Sequence, residues 1–296
     1  MVTDPHHTHA THDGAFALGV VLNVAFVLVE VVFGVFADST ALLADAAHNF
    51  SDVLGLLLAW GASYLARRPR SRRRTYGWRS STILAAMVNA IVLLVVTGGV
   101  TWEAVKRFVA PVEVGGLTVA WVALVGVGIN AATAALFMRG RKSDLNIRGA
   151  FLHMAADAAV SAGVVVAGLA IIATGRLWID PVATLLVAAV ILASTWGLLR
   201  QSVNLALHAV PEGIDPEAVE AYLVSLPGVT AVHDVHIWAM STTETALTAH
   251  LVRQDSPDDD AIIGEATRVL HERFGIHHTT LQWERGPDAC CPCVAI

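Results

Sequence analysis

A helical membrane protein with a small α+β domain at its C-terminal end is the fold class the sequence predicts, and three observations predict it. The 296-residue chain is 55% hydrophobic and only 15% charged, against about 25% charged residues in soluble globular proteins. Six apolar segments are each long enough to cross about 30 Å of hydrocarbon. From Pro211 onward the long apolar runs stop, and 14 acidic residues face four arginines. The net charge of -6 therefore conceals a basic membrane part and an acidic tail domain, which suits cations and excludes nucleic acid as a partner.

Residues 1–14, MVTDPHHTHATHDG, carry His6, His7, His9 and His12. The stretch is too short and polar to pack by itself, so a flexible His-rich arm is expected. Two readings stand for it: a disordered arm or cloning remnant, or a metal-binding arm. It lacks a basic n-region, so a cleaved signal peptide is not expected. The membrane domain is placed at residues 15–208. Its spans are expected near Ala15–Phe36, Ala41–Ala66, Ser81–Phe108, Leu117–Met138, Ile147–Thr174 and Pro181–Leu205.

The loops between spans set the orientation. RRPRSRRRTYGWR, after the second span, holds seven arginines, and MRGRKSDLNIR, after the fourth, holds three and a lysine. The loops around Asp38, Pro111–Gly116 and Gly175–Asp180 are short and poor in both residues. The positive-inside rule puts both arginine loops, and with them both termini, in the cytoplasm. The arginines are expected to touch lipid phosphates.

Two spans carry the same pattern of ionisable residues. His48 and Asp52 lie four apart in the second, and His153 and Asp157 four apart in the fifth. Residues four apart stack on one helix face, so each span points one imidazole and one carboxylate the same way. Burying such groups in lipid costs roughly 2.5–3.5 kcal/mol each, which marks them as functional. The two spans run in opposite directions, and an antiparallel packing brings two nitrogens and two oxygens together. That donor set suits tetrahedral Zn²⁺. Gly55, Gly61, Ser161 and Gly163 are small residues expected to permit close helix approach. Asp45 falls one turn before His48, where it could steer ions or support a ligand. Glu30 reads as an interhelical partner.

The tail domain, residues 209–286, reads as αββαβ. DPEAVEAYLVSLPG is helical, with Asp215 as N-cap and Pro216 in the first turn. VTAVHDVHIWAM, TALTAHLV and IHHTTLQWE alternate as half-buried strands. SPDDDAIIGEATRVLHERFG has an acidic start and a glycine stop, the marks of a second helix. Helices on one face of a small sheet are expected. Residues 287–296 form a Cys-rich tail holding Cys290, Cys291 and Cys293, the chain's three cysteines. An odd cluster makes no disulfide framework, and the Cys290/Cys293 spacing suits a metal in a reducing compartment.

DSTALLADAAHNFSD, YGWRSSTILAAMVNA, NIRGAFLHMAADA, IDPVATLLVA and VHDVHIWAM resemble the cation diffusion facilitator family of metal–proton antiporters, and the resemblance covers nearly the whole chain. It implies six transmembrane helices, a ferredoxin-like cytoplasmic domain and a homodimer in the cell (inner) membrane. It also implies that His48, Asp52, His153 and Asp157 bind the transported ion, Zn²⁺, in exchange for H⁺. Histidine at position 48 resembles the zinc-preferring branch; members that handle manganese, or zinc plus cadmium, tend to have aspartate there. Further similarity implies a regulatory zinc site of His233, His250, His277 and Glu284. A second site would join His236, Cys290 and Cys293 to a histidine of the N-terminal arm, with His9 and His12 the candidates. The loop between spans two and three lacks the Asp and His that bind an extra metal in some members, so no metal is expected there. His208, His271 and His278 receive no role.

Other classes fit less well. An intramembrane zinc hydrolase needs an open coordination position and a general base, usually as HExxH; His271-Glu272 lacks the second histidine and falls in the tail domain. A zinc sensor would not need two complete His/Asp pairs inside the bilayer. Primary pumping is disfavoured, since the sequence has no GxxxxGK[ST] phosphate loop. The chain is therefore expected not to be an enzyme.

Overall fold

The structure is a computed structural model that describes residues 10–138, 145–253 and 259–285. Six long helices come first: α1 (Ala10–Phe36), α2 (Thr40–Ala66), α3 (Ser81–Val109), α4 (Gly116–Phe137), α5 (Leu145–Thr174) and α6 (Ile179–Ala206). A helix–hairpin–helix–strand run follows: α7 (Pro216–Val224), β1 (Val229–Ala239), β2 (Thr245–Arg253), α8 (Asp259–Phe274) and β3 (His278–Glu284). The predicted αββαβ order is observed. Helix α1 begins at Ala10, earlier than the Ala15 expected from hydropathy, because hydropathy marks the apolar core of a helix rather than its polar end. Five helices, α2 to α6, are long and apolar enough to cross a membrane, and Asn23–Phe36 is the described apolar part of α1.

The chain divides into two compact units. The first holds Met1–Leu57 and Val88–Gly197. Its burial is inverted relative to a soluble protein. Large apolar side chains, among them Phe36, Trp102, Trp121 and Trp196, face outward, while Glu30, Asp45, Asn49, Asn130, Asp157, Ser161 and Asp180 are buried. Lipid makes apolar exposure costless and forces ionisable groups into the bundle interior. Phe26, Leu42, Val119, Val164 and Ile191 form a buried apolar cluster in this unit.

The closest described helix approach is between α4 and α5. A Cβ added at Gly168 would sit 2.9 Å from the Ala120 nitrogen and the Gly116 carbonyl oxygen, so only glycine admits this backbone contact. Helix α1 packs on α4 by setting the Phe26 ring over Gly126. The small residues singled out in the sequence behave differently. Ser161 is fully buried and Gly55 lies against Asn89, but a Cβ at Gly61 or Gly163 would meet nothing within 4 Å. Close approach here thus comes from glycines in α4 and α5 that hydropathy does not distinguish.

A polar knot holds three helix ends. The Asp180 carboxylate, at the start of α6, accepts from the Thr40 backbone N–H at 2.9 Å and the Thr40 hydroxyl at 2.7 Å. It also accepts from the Ser39 hydroxyl. An anion at a helix N-terminus satisfies N–H groups that have no intrahelical partner and opposes the helix dipole. The Arg107 guanidinium of α3 lies 3.6 Å from the same carboxylate and donates to the Asp38 carbonyl.

The second unit holds Leu58–Met87 and Leu198–Ile296. Its sheet has the order β1-β2-β3, with β1 antiparallel and β3 parallel to the central β2. Asp215 caps α7 by accepting from the Glu217 N–H at 3.0 Å, as the sequence predicts. Leu223 of α7 and Leu270 of α8 pack with Leu247 and Leu251 of β2, all fully buried. Within this unit the Arg79 guanidinium pairs with Glu244 of the β1–β2 turn at 2.7 Å. The Thr82 hydroxyl accepts from the Thr242 N–H at 3.1 Å.

Candidate metal centres

Helix geometry puts His48 above Asp52 on α2, and His153 above Asp157 on α5. The packing of the two helices then turns the pairs toward each other. His48 Nε2 lies 3.1 Å from Asp157 Oδ1, across helices, and 4.0 Å from Asp52 Oδ2 on its own. His153 Nε2 lies 3.3 Å from Asp52 Oδ2 and 3.6 Å from Asp157 Oδ2. Each imidazole thus stands between two carboxylates, one from each helix. The rings are nearly perpendicular, with centroids 6.3 Å apart.

Zn²⁺ holds nitrogen and oxygen ligands at about 2.0–2.1 Å in a tetrahedron, which sets its donor atoms about 3.3 Å apart. Three of the four distances in the ring fall close to that separation. Asp157 is buried, Asp52 and His48 are partly buried, and the His153 side chain is 45% exposed. The set is therefore closed on one side and open at His153, which suits an ion that must enter and leave. Asp45 does not bond the ring directly: it accepts from Ser161 on α5 at 2.8 Å. Glu30 reaches from α1 to Asn49, the interhelical role the sequence suggests.

A second cluster sits on the sheet of the second unit. His233 on β1 pairs in register with His250 on β2, and Glu284 ends the parallel strand β3. His233 Nε2 lies 2.8 Å from Glu284 Oε2. His250 Nδ1 lies 2.9 Å from Glu284 Oε1, close but not aligned for a hydrogen bond. The rings stand 5.3 Å apart at 78°. Among the described residues, this trio and His48/Asp52/Asp157 are the two groups close enough to hold a metal ion.

His277 does not join this cluster, contrary to the expectation from the sequence. It precedes β3 at the end opposite Glu284, donates its backbone N–H to Thr245, and lays its ring against His271 at 5.2 Å. At about 3.3 Å per strand residue, the two ends of β3 are roughly 20 Å apart. The sequence put both on one strand; the structure starts β3 just after His277, and a strand separates its ends instead of gathering them.

Asp234, which the sequence reading passed over, flanks the cluster on the other side of the His250 ring. It has φ 53° at an irregularity where three steps along β1, His233 to His236, face two along β2. The extra residue turns its carboxylate toward two imidazoles, 3.7 Å from His250 Nε2 and 2.9 Å from His236 Nε2. A bulge re-aims side chains in this way. The signal was present in HDVH, since histidines three apart lie on opposite faces of a regular strand. Cys290, Cys293, His9 and the side chain of His12 lie outside the described residues.

Residues 16–205 match the model of the cation efflux transmembrane domain, and residues 211–286 that of the cation efflux protein cytoplasmic domain. The chain is 38% identical to the zinc transporter ZitB of Escherichia coli K12 over 92% of its own length and 88% of that protein's. It is 34% identical to the metal cation efflux system protein CzcD of Cupriavidus metallidurans, covering 95% and 90% of the two chains. A cadmium, cobalt and zinc/H⁺-K⁺ antiporter of Bacillus subtilis is 30% identical over 94% and 91%. With two family models spanning both of its parts and relatives aligned along nearly its whole length, the chain belongs to the cation efflux family of membrane transporters, the cation diffusion facilitators.

Proposed function

We propose that this protein exports Zn²⁺ from the cytoplasm in exchange for H⁺, by alternating access around His48, Asp52, His153 and Asp157. The observation that carries the reading is the alternating ring of two imidazoles and two carboxylates, three of whose four neighbouring distances lie between 3.1 and 3.6 Å. Relatives named as zinc transporters and as a zinc/H⁺-K⁺ antiporter support it.

Zn²⁺ requires neutral imidazoles and ionised carboxylates, so metal and protons compete for the same lone pairs. An ion entering from the cytoplasm displaces protons. After the helices rock, protons from the far side displace the ion, and the protonated site returns. A binding site near the bilayer midplane exposed to each side in turn is the general design of secondary transporters. On this reading the protein lies in the inner membrane as a homodimer, with both termini cytoplasmic and its arginine loops on lipid phosphates.

His233, His250 and Glu284 form the regulatory zinc site in this proposal, with Asp234 supporting His250 through the ring nitrogen that does not face Glu284. The donor set fits Zn²⁺: two imidazoles and one carboxylate, with Glu284 buried. His236 with Cys290, Cys293 and His9 or His12 would form the second cytoplasmic site. Proteoliposomes test the transport reading. Zinc flux should rise with an imposed pH gradient and move protons the other way; flux indifferent to the gradient would overturn antiport.

A further inference from the structure

One turn from the metal ring lies a second pair of carboxyl groups that metal binding does not use. Glu30 on α1 and Asp45 on α2 are both fully buried. The Asn49 amide donates to Glu30 Oε2 at 2.8 Å, and the Ser161 hydroxyl donates to Asp45 Oδ2 at 2.8 Å. Each carboxyl therefore has one oxygen satisfied. The other oxygen of each, Glu30 Oε1 and Asp45 Oδ1, is buried without a hydrogen-bond partner. The two carboxyl groups interact with each other between α1 and α2.

Two ionised carboxylates in contact inside an apolar bundle repel strongly, and a single proton between them removes the repulsion. That proton also supplies the one donor the two orphaned oxygens lack. Charges around the pair set when it can leave. Asp45 faces His48 along α2 and Asp157 on α5, whereas Glu30 meets Asp45 and the neutral Asn49. Helix α4 has no charged residue at all. The metal ring, through His48, is a place beside the pair where positive charge can appear.

The donors connect the pair to that ring from both sides. Asn49 directly follows His48, and Ser161 falls one turn after Asp157 on the same face of α5.

We propose that Glu30 holds a transported proton, shared with Asp45, which it gives up to cytoplasmic water when a divalent cation binds at the ring and takes back from the far side when the cation leaves. The inference rests on the antiport reading and adds to it a proton that no metal ligand carries. The balance is simple: the Glu30 O–H bond breaks, its electron pair stays on the carboxylate, and the cation's charge compensates for the new anion. Buried acids beside ion pathways act as such relays in membrane transporters.

The test counts protons released as Zn²⁺ is added to the purified full-length protein in lipid nanodiscs, using a pH-indicating dye, with bound zinc measured in the same sample. Glu30→Gln keeps the acceptor oxygen for Asn49 and should release about one proton fewer per zinc bound at the ring. Equal release from the variant and the parent overturns the proposal. No proton release from the parent overturns antiport itself, a distinguishable result. Should the variant not fold, infrared difference spectra of the parent serve instead. Zinc should abolish a protonated-carboxyl band that shifts when glutamate is labelled with ¹³C at its side-chain carboxyl. Absence of such a glutamate band overturns the proposal.

Discussion

The His48 imidazole and the Asp157 carboxylate, 109 residues apart in the chain, approach to 3.1 Å. Helix periodicity pairs each with its own i,i+4 neighbour; only the packing of α2 on α5 pairs them with each other. Removing Asp157 breaks both His48 and His153 contacts. Asp157→Ala should stop zinc flux in proteoliposomes. It should weaken binding at the ring by ten- to hundred-fold, the loss of one or two charge-assisted contacts of about 1.5–3 kcal/mol. Zinc bound by the cytoplasmic cluster should remain, and calorimetric titration against a His250→Ala variant separates the two populations. Unchanged flux would remove Asp157 from the path.

The cytoplasmic cluster makes a sharper distinction between neighbours in sequence. Asp234→Ala should lower zinc affinity there by about ten- to hundred-fold, the usual cost of losing a supporting carboxylate. His277→Ala should leave it unchanged, since His277 sits at the other end of β3. Equilibrium dialysis of both variants decides this, and a loss of affinity in His277→Ala would contradict the placement.

Asp180 is expected to matter for stability more than for metal binding. Asp180→Asn keeps the shape but leaves the buried Arg107 without its anion and weakens the cap on α2. Breaking a buried charged pair costs about 3–5 kcal/mol. The variant in detergent should unfold at markedly lower temperature, read by circular dichroism. A midpoint equal to the parent's would show that Arg107 has other compensation.

Two glycines of α5 make opposite predictions. A methyl at Gly168 would press on backbone atoms of α4 at 2.9 Å, and backbone cannot rotate aside. Gly168→Ala should cost about 1–3 kcal/mol, the range for overpacking. Gly163→Ala meets nothing within 4 Å and should be near neutral. Parallel thermal unfolding of both variants measures the contrast.

Much of the molecule was settled by the chain's own local chemistry. Apolar length marked the spans, and i,i+4 spacing put His48 with Asp52 and His153 with Asp157. Asp215 and Pro216 announced the start of α7, and alternation announced β1, β2 and β3. These features depend on one or two turns of helix or on the two-residue period of a strand, so neighbours in sequence suffice to express them. Tertiary packing decided what those rules cannot reach. It set Gly168 against Gly116, brought Glu30 beside Asp45, tied Asp180 to Ser39 and Thr40, and put Asp234, not His277, beside the cytoplasmic cluster. Contacts between elements depend on helix rotation and strand register, and a bulge of one residue in β1 is enough to turn Asp234 toward His250.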